Sequence, residues 1–309
     1  MKQLPLFTSS FRLFAQYLGK TLIFLCVVGL LIHLCFERYI IFSGEVNGAS
    51  KINRILNKHD EQQIPILGSS RALNHFVPSM ISPNSFNYGI DGLAPDTWQF
   101  FLHEELKKEK STAIIINFDL DGWFYRSGAV DNYLPNYRET KHLIPDLQRS
   151  HYHIPLLKYY GRFEVYFKDW LNERGNFTRI TDHGASFKTT QLTDSKFQQL
   201  VERRLGAPTE FTDDTKLLDS FLSLVNHTAR EIILVVSPYH SSYLESYCNL
   251  SEAQRSLSTL DTISNVHVLD FSQMDLGEEY FFDTTHLNYA GAKLFSSTLH
   301  QRLKALNLL

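Results

Sequence analysis

The chain has 309 residues, 43% of them hydrophobic, and a formal net charge of -3. This is enough apolar content for one large core or two small ones, and no basic stripe suits nucleic acid. Three cysteines, Cys26, Cys35 and Cys248, exclude a disulfide framework; Cys248 reads as an inert buried thiol, in a reducing compartment or in a large periplasmic domain that needs no staples.

Residues 1–20 carry Lys2, Arg12 and Lys20 and no acidic side chain. Thr21–Phe36 then runs without a formal charge, and Tyr39-Ile40-Ile41-Phe42 resumes the apolar character. A cleaved signal peptide needs small residues at its cleavage site. Cys35-Phe36-Glu37-Arg38-Tyr39 offers none. Residues 21–42 therefore read as an uncleaved transmembrane anchor. The basic flank keeps residues 1–20 in the cytoplasm and sends the remainder outward. In a bacterium this is a single-pass inner-membrane protein with a periplasmic or extracellular C-terminal domain.

Residues 43–62 are polar, with Ile52, Ile55 and Leu56 at helical spacing, and read as a juxtamembrane helix or stalk. From residue 63 to 309 the pattern is that of one domain. Ile64–Leu67 and Ser85–Tyr88 predict short strands. Pro95 suits a first helical turn, and Trp98, Phe101, Leu102 and Leu106 follow at helical spacing. Ala113–Phe118 is a β-branched run suited to a strand buried on both faces. Lys107-Lys108-Glu109-Lys110 reads as a solvated helix end. Residues 122–212 are rich in Tyr, Phe, His and Arg and read as an irregular insertion. Order returns with a helix over Thr215–His227, a strand over Glu231–Val236, a helix over Ser251–Leu260 and a strand over Val266–Phe271. The last helix starts at an Asn288 N-cap, with Leu294, Phe295, Leu299, Leu303 and Leu306 on one face. Alternating strands and helices predict an α/β fold with a mostly parallel sheet, whose ligands gather at the strand carboxyl ends.

Two short segments carry the chemistry. Ile64–Leu67 breaks into Gly68-Ser69-Ser70, which places Ser70 at the end of a strand, with Gly68 free to turn sharply. Asp283-Thr284-Thr285-His286 precedes the last helix. A serine hydroxyl needs a base within hydrogen-bond reach, and an imidazole base needs a carboxylate on its other nitrogen. Ser70, His286 and Asp283 are the matching residue types. Taken separately, Gly-Ser-Ser is also a common strand-to-loop step, and Asp-x-x-His a common helix-start loop.

On these motifs the chain resembles the SGNH, or GDSL-like, hydrolase superfamily. It is similar to the membrane-anchored bacterial branch that includes D-alanyl transfer and alginate O-acetylation proteins. The resemblance covers about residues 62–126 and 231–308, and implies a flavodoxin-like, three-layer α/β/α fold with a Ser-His-Asp site. Gly68-Ser69-Ser70 takes the place of the first block, with Ser69 for its acidic residue. Asn87-Tyr88-Gly89-Ile90-Asp91-Gly92 resembles the second block, in which Gly92 falls at an oxyanion donor. Asp283-Thr284-Thr285-His286 resembles the last. The third block, Gly-x-Asn-Asp, departs: it falls near Phe118-Asp119-Leu120-Asp121, where no asparagine stands, and Asn117 lies out of register. Asp119 and Asp121 are then candidates for contacting a polar substrate or holding the loop, or are plain loop carboxylates. Ser237-Pro238-Tyr239-His240 follows a strand at the same edge, and His240 is a candidate substrate-site or structural histidine.

The resemblance implies a serine esterase or O-acyltransferase acting on an envelope or exported polysaccharide, without a cofactor, and with a membrane O-acyltransferase as one possible partner. The rival expectation is a non-catalytic polysaccharide-binding or scaffolding component. His151-Tyr152-His153 resembles a metal pair, but no carboxylate or cysteine cluster stands with it, so no metal is expected. Aromatics from Trp123 to Phe187 suit sugar stacking or ordinary packing.

Overall fold

The computed structural model describes residues 6–57, 60–92, 95–120, 154, 157–159, 161–175, 178–189, 194–208 and 215–309, without side chains for 6–10, 95–97 and 215–217. Asp121, Trp123, His151 and His153 lie outside the described residues. In chain order the helices are α1 (Leu6–Phe36), α2 (Gly48–Asn57), α3 (Ser70–His75), α4 (Pro78–Ile81), α5 (Pro95–Leu106), α6 (Phe163–Gly175), α7 (Asp194–Leu205), α8 (Thr215–Asn226), α9 (Ser241–Glu245), α10 (Leu250–Leu260) and α11 (Tyr289–Ala305). The strands are β1 (Ile64–Leu67), β2 (Ser85–Asn87), β3 (Ile114–Asn117), β4 (Arg179–Asp182), β5 (Ala185–Lys188), β6 (Ile232–Val236) and β7 (Val266–Asp270).

The fold is α/β. Five strands form one sheet in the order β2-β1-β3-β6-β7, and every pairing is parallel. Strand side chains alternate between faces, so each apolar run feeds two cores. Ile114, Ile116, Ile232, Leu234 and Val236 pack with Trp98, Phe101, Phe221 and Leu257 on one face. Ile66, Ile115, Ile233 and Val235 pack with Phe76, Phe295, Leu299 and Leu303 on the other. The chain reverses its direction of strand addition at β1: β2 lies on one side and β3 on the other. That switch point opens a crevice at the carboxyl ends of β1 and β3.

Several elements differ from the sequence reading. The apolar helix is longer than residues 21–42. It starts at Leu6, continues through a π-helical segment at Glu37–Ile41, and offers Phe11–Ile41 as a stretch apolar enough to cross a membrane or act as a signal anchor. Beyond it, α2 is part of the core: Ile52 and Ile55 are buried with Tyr88 and Phe101. The insertion contains regular structure among its described residues, namely α6, α7 and the β4–β5 antiparallel hairpin. In α11 the buried face is Phe295, Leu299 and Leu303, while Leu294 and Leu306 are exposed. Leu294 is one residue off the i, i+4 line of that face, and Leu306 is the C-cap beyond it. Cys248 is exposed, not buried. The Lys107–Lys110 run is not simply solvated. Lys108 and Lys110 reach the fully buried Glu105 at 2.9 and 2.7 Å, and Arg230, just before β6, meets it at 3.2 Å. A buried carboxylate needs such partners to remain charged.

Candidate active site

The nucleophile side is built by β1. All its residues are buried, and the chain leaves the sheet at Gly68 with φ +141°. A Cβ at Gly68 would stand 2.9 Å from Ala72 Cβ and 3.1 Å from Asn117 Cβ, so only glycine fits this turn. Ser69 is extended and caps α3, its hydroxyl accepting from the Arg71 N–H at 3.2 Å. Ser70 is the first residue of α3.

The base side is one closed loop after β7. Phe281 and Leu287 form an isolated antiparallel bridge, and the Phe282 N–H donates to the His286 carbonyl at 2.7 Å. Inside the loop, Asp283 Oδ1 accepts from the Thr285 N–H, the Thr285 hydroxyl and the His286 N–H, each at 2.9 Å. His286 Nδ1 lies 3.0 Å from both Asp283 oxygens. Its Nε2 lies 2.8 Å from Ser70 Oγ. Burial alone would raise the Asp283 pKa, but the His286 ring and the Thr285 bonds outweigh it and hold the carboxyl well below its usual range. Asn288 fastens the loop to α11: its Oδ1 accepts from the Gly291 N–H at 3.1 Å and its amide donates to the Glu279 carbonyl at 2.6 Å.

The two sides are tied together by Arg71 and Asp119, and sequence reasoning gave Arg71 no role. Arg71 is buried. Its Nε pairs with Asp119 Oδ1 at 3.2 Å, and its Nη2 donates to the Ser237 carbonyl at 2.6 Å and the Pro238 carbonyl at 3.0 Å. Its Nη1 donates to the Thr285 carbonyl at 3.2 Å. The guanidinium lies 3.3 Å from the Tyr239 ring centroid. One side chain thus touches the segments that follow β3 and β6 and the Asp283–His286 loop. Asp119 also accepts from Ser69 Oγ, and from the Asn117 amide at 2.7 Å. His75, fully buried, stacks edge-on to His286 at 6.2 Å, and its Nε2 accepts from the Leu287 N–H at 3.1 Å. Burial and the neighbouring Arg71 and His286 hold its pKa well below the usual histidine value, so it supports the site as a neutral ring.

The remaining sequence candidates fall in different places. Asn87 is buried and turned to backbone work: its amide donates to the Ala72 and Phe76 carbonyls at 2.7 and 3.3 Å, and its Oδ1 accepts from the Gly89 N–H. Gly92 sits in an exposed turn with φ +70°. His240 is packed between Phe197 and Phe281, at 5.2 and 5.3 Å, and caps α9 through its ring, which accepts from the Ser242 N–H. That geometry gives it a structural task. Asn117 is not redirected toward Ser70; its amide is bound to Asp119.

Around the site lies a charged border. The Lys188 ammonium rests 3.7 Å from the Phe282 ring centroid and senses both Asp283 and Asp91, while burial and Arg179 lower its pKa. Beyond Asp91 a cavity of about 400 Å³ opens, lined in part by Asn47, Asp91, Arg162, Asp169, Asn172 and Arg179. Beside it Lys51 is fully buried. It donates to the Gly89 carbonyl, and burial lowers its pKa to about 7 against the pull of Glu173 and Asp169.

A family profile that names no activity matches residues 201–307. No curated protein matches the sequence significantly. Among solved structures, the chain is similar to a Streptococcus pneumonia protein provisionally called a platelet activating factor. The identity is 14%, the TM-score 0.44, and coverage 88% of this chain and 98% of that one. It is also similar to a gut microbial diltiazem-metabolizing enzyme, at 13% identity and a TM-score of 0.33, covering 79% of this chain and 48% of the other. At these scores neither likeness assigns an activity.

Proposed function

We propose that this chain is a membrane-anchored serine esterase or O-acyltransferase of the SGNH type. The observation that carries this reading is the unbroken line from Ser70 Oγ through the His286 ring to both Asp283 oxygens, at 2.8 and 3.0 Å. The strand order supports it as well. Counted within the sheet it is 2-1-3-4-5, the flavodoxin-like doubly wound order, with Ser70 at the switch point.

In this mechanism Ser70 Oγ attacks an ester carbonyl and His286 Nε2 takes its proton. Asp283 fixes the tautomer with the proton on Nδ1 and stabilises the imidazolium that forms. The Ser70 and Gly92 N–H groups receive the developing oxyanion. His286 then returns its proton to the leaving alcohol. Water or a sugar hydroxyl accepts the acyl group in the second half, again through His286. With Asn117 bound to Asp119, the oxyanion lacks a side-chain amide donor from the third block. The loss of one donor slows such reactions by about 10²–10³-fold, so slow turnover is expected.

The cavity beyond Asp91 sets carboxylate, amide and guanidinium groups among Val46, Leu73, Ile90, Val165 and Tyr166, a mixed lining that suits the hydroxyls and apolar faces of sugar rings. A cell-envelope or exported polysaccharide is the substrate class we favour, with a membrane O-acyltransferase as a possible source of acyl groups. Lys2, Arg12 and Lys20, ahead of the uncharged run from Thr21, support an inner-membrane protein with its domain in the periplasm or outside. The rival reading, a polysaccharide-binding scaffold, draws on the missing third-block amide. Full-length protein and its Ser70→Ala and His286→Ala variants separate the two on p-nitrophenyl acetate and on acetylated polysaccharide. Slow hydrolysis lost in both variants supports the enzyme. Equal rates with equal polymer binding would favour the scaffold.

A further inference from the structure

The last turns of α1 are not surrounded by lipid on all sides. Phe36 meets Phe163 of α6 at a ring separation of 5.0 Å, and Tyr159 at 5.3 Å. Farther along, Ser43 Oγ accepts from Arg174 Nη2 at 3.2 Å. The first and last contacts of α6 with this segment therefore bracket the end of the apolar stretch Phe11–Ile41. From Phe163 to Arg174 a helix climbs about 16 Å, and from Phe36 to Ser43 about 10 Å. The two helical segments run alongside each other.

Phe163, Phe167, Trp170 and Arg174 are spaced by four, three and four residues, which puts them along one side of α6. Phe163 is partly buried against α1. Phe167 is 46% exposed although it is a large apolar ring. It stacks on Trp170 at 5.7 Å, and the Arg174 guanidinium covers Trp170 at 4.1 Å. On the α1 side Tyr39 and Phe42 are exposed, and Ile154 and Leu157 are exposed just before α6. The carboxylates of α6 are mostly turned inward: Glu173 accepts from the Glu45 and Val46 N–H groups, and burial raises the pKa of Asp169. Glu164, the exposed one, is paired with Lys168.

We propose that α6 and the residues just before it lie in the headgroup region of the same bilayer that α1 crosses, as a second membrane contact that does not span. The proposal rests on the reading of α1 as a membrane span. An exposed aromatic band with basic residues, continuous with the end of a span, matches the ring-bearing belt of membrane–water interfaces. An interfacial helix sinks its apolar face about 5–10 Å into the headgroup–acyl boundary. Phe167, held between the Phe36 and Ser43 contacts, stands at that level. The β4–β5 hairpin that follows α6 borders β2, where the Asn87 N–H donates to the His183 carbonyl. The β2 edge of the sheet therefore faces the membrane and the β7 edge faces away.

The test uses full-length protein in nanodiscs of phosphatidylcholine and phosphatidylglycerol. Otherwise cysteine-free chains carry an environment-sensitive fluorophore at Phe167→Cys, at Leu157→Cys, or at Ser258→Cys on α10 beside β7. A fourth chain keeps Cys26 alone within the span. The expected result is blue-shifted emission at positions 157 and 167, quenched by lipids with a nitroxide near the headgroup, and water-like, unquenched emission at 258. If 157 and 167 behave like 258 while Cys26 is quenched by lipid nitroxides, the proposal is overturned and the span stands. If Cys26 is also unquenched, the span reading fails and the proposal with it. Blue-shifted emission at 157 and 167 without lipid quenching would mean that protein covers the band, which also overturns the proposal.

Discussion

The Ser69 hydroxyl donates to Asp119 Oδ2 across a sequence separation of 50 residues, bridging the carboxyl ends of β1 and β3. This bond joins the two strand ends at the point where strand order reverses. With the Arg71–Asp119 pair it fixes how the start of α3, and hence Ser70, is presented to His286.

Asp119→Ala should therefore destabilise the fold and disturb the site together. It leaves the buried Arg71 guanidinium without its carboxylate, a loss of the kind that costs about 3–5 kcal/mol. Asp119→Asn, which keeps an acceptor, should lose less. Thermal unfolding measured beside ester hydrolysis checks both; an unchanged melting temperature in Asp119→Ala would contradict this role.

Asp283→Asn should keep the fold and lower kcat by roughly 10⁴-fold, since an amide there favours the wrong imidazole tautomer. The carboxyl pKa is depressed below its ordinary 3.8. The stability it contributes is therefore complete above pH 3.8 and is lost only as pH falls through the lower folded value. Urea unfolding of wild type and variant between pH 3 and 7, near the ordinary carboxylate range, should show a difference that narrows only at the acid end.

Lys51 makes the opposite kind of prediction. Its pKa falls from 10.5 in the unfolded chain to about 7 in the folded one. Between these values the unfolded state holds a proton that the folded state lacks, so stability rises with pH, by on the order of 1 kcal/mol per unit. Below pH 7 Lys51 is charged in both the folded and the unfolded chain, and the slope is absent. Lys51→Met should flatten this slope. Parallel slopes for the two proteins in denaturant titrations would show that Lys51 is not neutral in the fold.

Gly68→Ala forces a side chain onto φ +141° and against Ala72 and Asn117. A backbone held in such a region costs about 1–3 kcal/mol. The turn should shift and hydrolysis should fall more than stability does. Circular dichroism melts and ester turnover on the same preparation measure the two losses.

The parts legible in the sequence were those set by local pattern. Ile64–Leu67 and Ile232–Val236 are apolar runs short enough for strands and too uniform for a surface helix. Asp283 and His286 sit close enough that one loop joins them, and Asn288 announces its helix by its side chain alone. What escaped depends on distant partners. Arg71 meets Thr285 across 214 residues and Ser237 across 166, and no local spacing reports such contacts. Lys51 lies in a polar segment whose burial comes from α5 and α6, not from its own neighbours. Within 157–205, α6 packs Phe163 and Tyr166 against the end of α1 while Val165 and Phe167 are exposed, so its own sequence shows little contrast between faces. Asn87 is singled out by its resemblance to the second block and His240 by the strand before it; the bonds of Asn87 to Ala72, Phe76 and Gly89, and of His240 to Ser242, are local ones that a motif does not report.

The base and its carboxylate share one small loop, whereas the serine stands 216 residues earlier. A chain synthesised from its N-terminus therefore presents its serine long before the imidazole exists. On the proposed mechanism the nascent protein is silent while it is being exported. The Ser70–His286 contact can therefore form only when the closing segment returns to the first strand.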